Sequence, residues 1–214
     1  MNSHMDNEAM VNYLTLHGYL KSPEIIEAFL KIDRKDFVPE DYKEEAYEDS
    51  PIPLKHGQTT SAPCVIAVTL EMLKPMEGEK ILEVGTGSGY LTALLSYLVG
   101  KNGKVYTIEY FKNLSDFAKR NLKKYNINNV VFLVGDAKNI SLPEKVDKIV
   151  SGACVKSILD IPSSWMSVLK DNGIIVTPCG MDDGNQYLIK IKKEKDGKLK
   201  IIDIWGPVRY VSLL

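Results

Sequence analysis

Leu82-Glu83-Val84-Gly85-Thr86-Gly87-Ser88-Gly89-Tyr90 is the stretch of this chain whose pattern decides the fold. The residues from Lys80 to Val84 predict a strand, and those from Tyr90 to Val99 predict a helix. Glycine adopts positive φ and carries no Cβ, so three glycines between a strand and a helix allow a ligand to approach the backbone closely. Free amides at the helix start suit a polar or carboxylate group.

Outward from this turn the rhythm continues. The spacing predicts a strand at Lys104 to Glu109, a helix at Lys112 to Tyr125 and a strand at Val130 to Val134. A strand at Val146 to Ser151, a helix near Pro162 to Leu169 and a strand at Gly173 to Pro178 come next. Strands alternating with helices indicate a mainly parallel sheet with helices on both faces. The pattern then changes, because Tyr187 to Lys193 and Leu199 to Trp205 flank the turn Lys195-Asp196-Gly197-Lys198, which predicts an antiparallel C-terminal edge.

Upstream, Met10, Val11, Leu14 and Leu20 suggest a helix over Asn7 to Leu20 that Gly18 weakens at its end. Ser22-Pro23 offers an N-cap and a first helical residue for a second helix that buries Ile25, Ile26, Phe29, Leu30 and Ile32. From Asp33 to Pro63 periodicity is lost and Pro39, Pro51, Pro53, Gly57 and Pro63 accumulate. So long a loop in a compact domain is expected to be functional. Pro63 opens a third helix, and the polar run Lys55-His56-Gly57-Gln58-Thr59-Thr60-Ser61 abuts its start.

With 214 residues, 44% hydrophobic and 26% charged, the chain has the composition of one globular domain. Its 27 basic and 28 acidic residues leave a net charge of -1, which offers no general attraction to nucleic acid, and no nucleic-acid partner is expected. Lys190, Lys192, Lys193, Lys195, Lys198 and Lys200 cluster around the predicted hairpin and read as a solvated strand face. Cys64, Cys154 and Cys179 are odd in number and widely spaced, suggesting neither disulfides nor a metal site; a reducing cytoplasm fits. No stretch reaches the length of a membrane span, so no membrane partner is expected. Met1-Asn2-Ser3-His4-Met5 reads as a cloning remnant outside the fold.

Two acids strengthen the glycine-rich turn. Glu109 ends the next strand, 22 residues after Gly87, where a carboxylate can accept hydrogen bonds from both ribose hydroxyls of a nucleoside. Gly135-Asp136-Ala137 ends the strand after that, where Asp136 could bind the exocyclic amine of adenine. Each acid alone reads more readily as a capping or solvated residue at a strand end, but the three features together on successive strand ends favour a nucleoside ligand. The spacing G-x-G-x-G, preceded by Glu83, differs from the G-x-G-x-x-G of nicotinamide enzymes and favours an adenosyl sulfonium.

Lys55-His56-Gly57-Gln58-Thr59-Thr60-Ser61-Ala62-Pro63, the glycine-rich turn, Gly135-Asp136 and the closing Val208-Arg209-Tyr210-Val211 resemble the signature segments of the protein-L-isoaspartate (D-aspartate) O-methyltransferases. Arg34 to Pro39 with Ala46-Tyr47-Glu48-Asp49 is similar to that family's segment before the substrate loop. The resemblance implies a Rossmann-like class I methyltransferase with an N-terminal helical extension. It divides one domain, 6–214, into helical extension and substrate loop (6–62), S-adenosylmethionine-binding core (63–178) and C-terminal β segment (179–214). It implies S-adenosyl-L-methionine as methyl donor, S-adenosyl-L-homocysteine as product, and age-damaged proteins or peptides with isoaspartyl residues as partners. By position, it implies that Ser61 lies at the reacting centre. Gln58, Thr59, Glu83, Gly85, Thr86, Gly87, Ser88, Glu109, Asp136 and Ala137 are implied to bind cofactor, Gln58 and Thr59 also shaping the active-site loop.

The chemistry is consistent with these residues. A carboxyl group with a pKa of roughly 3 to 4 is already ionised near neutral pH, so transfer to it needs alignment more than a general base. A hydroxyl such as that of Ser61 can orient the carboxylate; its other reading is the N-cap of the helix opened by Pro63. His56 reads as a loop residue, and Tyr47 and Tyr210 read as packing residues with a second reading as walls of the cleft. Thr60, Ser151-Gly152-Ala153-Cys154 and Ser212 depart from the family pattern, on the peptide side more than the cofactor side. Other readings are a methyltransferase of the same fold acting on another carboxylate, an RNA or a small molecule, and a catalytically silent binding module.

Overall fold

A computed structural model describes residues 6–214, so the remnant read at Met1 to Met5 lies outside the described residues. Helices α1 (Asn7–Leu16) and α2 (Pro23–Lys31) come first. A long loop then carries 3-10 turns at Arg34–Phe37 and Glu40–Glu45 and the short strands β1 (Ile52–Pro53) and β2 (Thr59–Thr60). The alternating core comes next: α3 (Pro63–Leu73), β3 (Lys80–Val84), α4 (Tyr90–Val99), β4 (Lys104–Glu109), α5 (Lys112–Leu122), β5 (Val130–Val134), β6 (Val146–Ser151), α6 (Ser163–Val168) and β7 (Leu169–Gly180). The long strands β8 (Gln186–Lys193) and β9 (Leu199–Val208) close the chain.

The seven long strands form one sheet in the order β5-β4-β3-β6-β7-β8-β9. The first five run parallel, whereas β8 and β9 pair antiparallel, as the hairpin turn at Gly197 predicts. Alternate residues of each strand face opposite sides, which divides the core in two. Ile81, Val105, Val150 and Val176 pack with helices α1 to α4, while Leu82, Tyr106, Ile149 and Ile175 pack with Trp165 and Val168 of α6. From β3 the chain moves to β4 on one side, and it later returns to place β6 on the other. Such a reversal leaves a crevice beyond the carboxyl ends of the two central strands.

Several expectations change in detail. The first helix stops at Leu16, because the chain turns through Gly18 at φ 73° and closes with Leu20 N–H donating to the Leu14 carbonyl. Ser22 precedes α2 but makes no cap. Its hydroxyl donates to Glu71 Oε2 at 2.7 Å and its amide to Glu71 Oε1 at 2.7 Å, tying the N-terminal extension to α3. Lys193 is no part of a solvated face, since it is only 8% exposed. Its ammonium donates to the carbonyls of Met166 and Leu169, at 2.9 and 3.0 Å, where a cation suits the carboxyl end of α6. The three cysteines are free, and among the described residues no helix is long and apolar enough to cross a membrane.

Candidate active site

Strand β3 ends in the glycine-rich turn, whose three glycines all have positive φ: 89° at Gly85, 55° at Gly87 and 86° at Gly89. Gly89 is required for packing as well as conformation. A Cβ there would lie 2.5 Å from Leu122 Cδ1 and 3.0 Å from Ala118 Cβ, so its absence lets α4 start against α5. At Gly85 the turn meets the end of β6, where Gly152 donates its amide to the Val84 carbonyl at 2.8 Å. These two glycines form a saddle, and a cleft opens on each side of it.

One cleft is lined by Glu109, Phe111, Gly135, Ala137, Gln58 and the last residues of the chain. Glu109, only 6% exposed, accepts the Gly87 amide on Oε2 at 2.9 Å and the Phe111 amide on Oε1 at 3.0 Å. Its carboxylate is thereby fixed in orientation at the strand end, with lone pairs left to accept from a ligand. Asp136 does serve as the cap of the 137–139 turn. Its two oxygens take the Lys138 amide at 2.8 Å and the Asn139 side-chain amide at 2.9 Å, and the cleft wall here is built by Gly135 and Ala137. Gln58 lies in the wall, its side-chain amide donating back to the His56 carbonyl at 3.2 Å.

The other cleft is lined by Thr59, Thr60, Ser61, Glu83, Thr86, Ser88 and Tyr210 among others. Glu83 and Thr107 are register partners on β3 and β4, and their side chains share one face of the sheet. Glu83 Oε2 accepts the hydroxyls of Thr107, at 2.7 Å, and of Thr92 on α4. Oε1 has no hydrogen-bond partner although Glu83 is 1% exposed. Burial pushes its pKa up to about 8, the two threonine hydroxyls pull it down, and the nearby charge of Glu109 adds to the rise. A buried carboxyl with one unpartnered oxygen beside a cleft costs free energy that a donor or cation reaching it would recover.

Ser61 is half-buried in this second cleft and does not cap α3. The cap residue is Ala62, which makes no side-chain bond, and the Cys64 amide is taken instead by Asp49 Oδ1 at 2.8 Å. The Ser61 hydroxyl is thus not spent on a cap and lies in the cleft within reach of the Tyr210 phenol. Tyr210 stands beside Ser61 and Thr69, and burial pushes its phenol up to about 12, so it is a neutral hydroxyl at physiological pH. Tyr47 takes the packing role, its hydroxyl donating to Asp33 Oδ1 at 2.9 Å away from the cleft. His56 anchors the loop: its ring stacks on Phe111 at 4.3 Å and 9° and hydrogen-bonds the Asn113 side-chain amide. The buried Arg34 donates Nε–H to the Ala46 carbonyl at 2.9 Å, bracing the loop from beneath.

The structure thus brings nine of the ten residues implied for cofactor to the linings of the two clefts, and Ser61 to the second. The exception is Asp136, whose side chain is engaged in its cap while its neighbours line the wall. Sequence reasoning assigned no place in the site to Phe111, Thr69, Leu213 and Leu214, and took Gly152, Val211 and Ser212 only as parts of segments compared with the family. Gly152 had a signal, a glycine at the end of the strand that flanks the reversal of strand order. The tail had a signal only in the resemblance of its first residues, because its place depends on contacts with Cys154 and Gln186 far back in the chain.

A model of the family described as protein-L-isoaspartate(D-aspartate) O-methyltransferase matches residues 5–214. The protein-L-isoaspartate O-methyltransferase of Ignicoccus hospitalis is 41% identical over 206 residues, 96% of this chain and 95% of that protein. That of Methanopyrus kandleri is 42% identical over 195 residues, 90% of this chain and 84% of that protein. A crystal structure of a protein-L-isoaspartate O-methyltransferase from Plasmodium falciparum, in complex with S-adenosyl-L-homocysteine, superposes with a TM-score of 0.83. It is 26% identical and covers 98% of each chain. Strand order, cleft and sequence thus lead to one assignment: the chain belongs to the protein-L-isoaspartate(D-aspartate) O-methyltransferase family.

Proposed function

We propose that this protein is a repair enzyme that transfers a methyl group from S-adenosyl-L-methionine to the free carboxylate of L-isoaspartyl residues in damaged proteins and peptides. The observation that carries this reading is the pair of clefts meeting at Gly85 and Gly152, one fitted to a nucleoside and the other presenting the neighbouring hydroxyls of Ser61 and Tyr210. When bound, S-adenosyl-L-methionine supplies an electrophilic methyl group on a sulfonium.

The residues fit such a ligand. Glu109 is oriented to accept ribose hydroxyls, Gly135 and Ala137 leave a flat wall for a base, and Asp136 contributes through its turn. Gly85, Thr86, Gly87 and Ser88 allow close backbone approach, and the idle oxygen of Glu83 is placed for an ammonium. Gln58 and Thr59 frame the junction between cofactor and acceptor.

On the acceptor side no strong base is needed, because the acceptor carboxylate ionises at a pKa of roughly 3 to 4. Ser61 donates its hydroxyl to one carboxylate oxygen and leaves the other directed at the methyl group. The neutral Tyr210 phenol supplies a further donor beside it, while the Thr69 hydroxyl, spent on the Val65 carbonyl at 2.7 Å, can only accept. Such positioning replaces an encounter in water by a held approach.

The test is incubation with methyl-labelled S-adenosylmethionine and matched isoaspartyl and aspartyl peptides, with counting of base-labile methanol. Label confined to the isoaspartyl peptide supports the proposal. Cofactor binding by calorimetry without label in either peptide would sink it, and label on another acceptor would redirect it.

A further inference from the structure

The tail after β9 forms one wall of both clefts: Tyr210 lines the acceptor side and Val211 to Leu214 line the nucleoside side. Its two halves are held by different anchors. The Cys154 amide donates to the Val211 carbonyl at 2.8 Å, and the Leu213 amide donates to the Cys154 carbonyl at 2.9 Å. Tyr210 is held by one side chain from 24 residues upstream: its amide donates to Gln186 Oε1 at 2.6 Å, and Gln186 Nε2 donates to its carbonyl at 3.2 Å.

Gln186 begins β8, and the register explains how it reaches. Leu188 pairs with Trp205 but Gln186 pairs with Val208, so β9 carries one extra residue there. Such a bulge bends the strand and redirects the chain beyond it, here bringing the backbone of Tyr210 alongside the Gln186 amide. A primary amide matches one donor and one acceptor of the backbone, as a neighbouring strand would. Tyr210 is thereby presented beside Ser61 and Thr69.

We infer that Gln186 is a positioning residue for the acceptor end of the site, fixing Tyr210 opposite Ser61 while the Cys154 bridge fixes the cofactor end independently. The inference rests on the proposed isoaspartyl activity for its kinetic consequence but not for its structural one. Without the Gln186 clamp, the Tyr210 hydroxyl wanders and peptide binding weakens, whereas Val211 to Leu213 remain in place.

Two variants test this, Gln186→Leu, which removes both bonds, and Gln186→Glu, which keeps an acceptor for the Tyr210 amide but sets a carboxylate oxygen against its carbonyl. Gln186→Leu should raise KM for an isoaspartyl peptide by about 10-fold, the loss of one or two hydrogen bonds, with Gln186→Glu between it and the parent. Affinity for S-adenosyl-L-homocysteine should stay within about twofold. Amide hydrogen exchange gives a readout that needs no activity: in Gln186→Leu the Tyr210 amide should lose protection while those of Cys154 and Leu213 keep theirs. An unchanged Tyr210 amide overturns the inference, and so does an unchanged KM or a product affinity that weakens in step with KM. A parent protein inactive on isoaspartyl peptides would fail the proposed function and leave the exchange measurement to decide the clamp.

Discussion

The two ends of the cleft are made in different ways. The nucleoside end is assembled from the carboxyl ends of adjacent parallel strands, and its key contacts, Glu109 to the Gly87 and Phe111 amides, span at most 22 residues. The acceptor end joins Ser61, on the loop before α3, to Tyr210, on the tail that follows the last strand of the sheet. Strand ends are held by the sheet ladder and Val211 to Leu213 by a backbone bridge to Cys154, whereas the loop and Tyr210 are held by a few side chains: Asp49, His56 and Gln186. A ligand common to all turnovers therefore meets the rigid end, and a varied peptide meets the end that sequence change can retune without disturbing the core.

That contrast can be broken at specific positions. The largest effect is expected from Gly89→Ala, which places a methyl 2.5 Å from Leu122 Cδ1 at a φ of 86°. A loss of about 3 kcal/mol in urea unfolding is expected from overpacking and strain; a loss below about 0.5 kcal/mol would mean that the two helices part easily. Glu109→Ala should weaken S-adenosyl-L-homocysteine binding by about 100-fold in calorimetry, since it removes charge-assisted acceptors and leaves the Gly87 and Phe111 amides unpaired. An unaltered affinity would remove Glu109 from the site.

Glu83 sharpens the comparison through pH. Its folded pKa lies near 8 against an ordinary value of 4.5, so the folded protein keeps a proton that the unfolded chain releases. Stability relative to Glu83→Gln should therefore fall as pH rises from about 4.5 to about 8 and level off above. Urea curves at several pH values check this, and parallel curves for the two proteins would contradict it. The smallest effect is expected from Asp136→Ala, about 1 kcal/mol of stability from a lost cap. Unchanged stability with weakened ligand binding would instead make Asp136 a binding residue only.

The same contrast governs what the sequence reveals. The bounds of β3, α4, β4, β5 and β6 come from apolar runs and the glycine-rich turn, because each is set by residues within its own span. The acids at their ends inherit that legibility. Ser61 could be placed at the reacting centre only by resemblance, since local signals fitted an N-cap equally well; the remote carboxylate of Asp49, which takes the Cys64 amide, rules out only the cap. Ser22 and Lys193 were misread for a related reason. Their partners, Glu71 and the carboxyl end of α6, come from elsewhere in the fold, and tertiary contact overrides a capping preference or a charge pattern. The extra residue in β9 that turns the tail toward the cleft leaves no mark in hydrophobic periodicity.

The separation of the two ends is tested most directly in Ser61→Ala, by measuring kcat/KM toward an isoaspartyl peptide alongside the Kd for S-adenosylmethionine. A fall in kcat/KM of about 10- to 100-fold with Kd within about twofold is expected, because only acceptor alignment is lost. An unchanged kcat/KM, or a Kd that weakens by the same factor, would contradict the placement of Ser61 at the acceptor end.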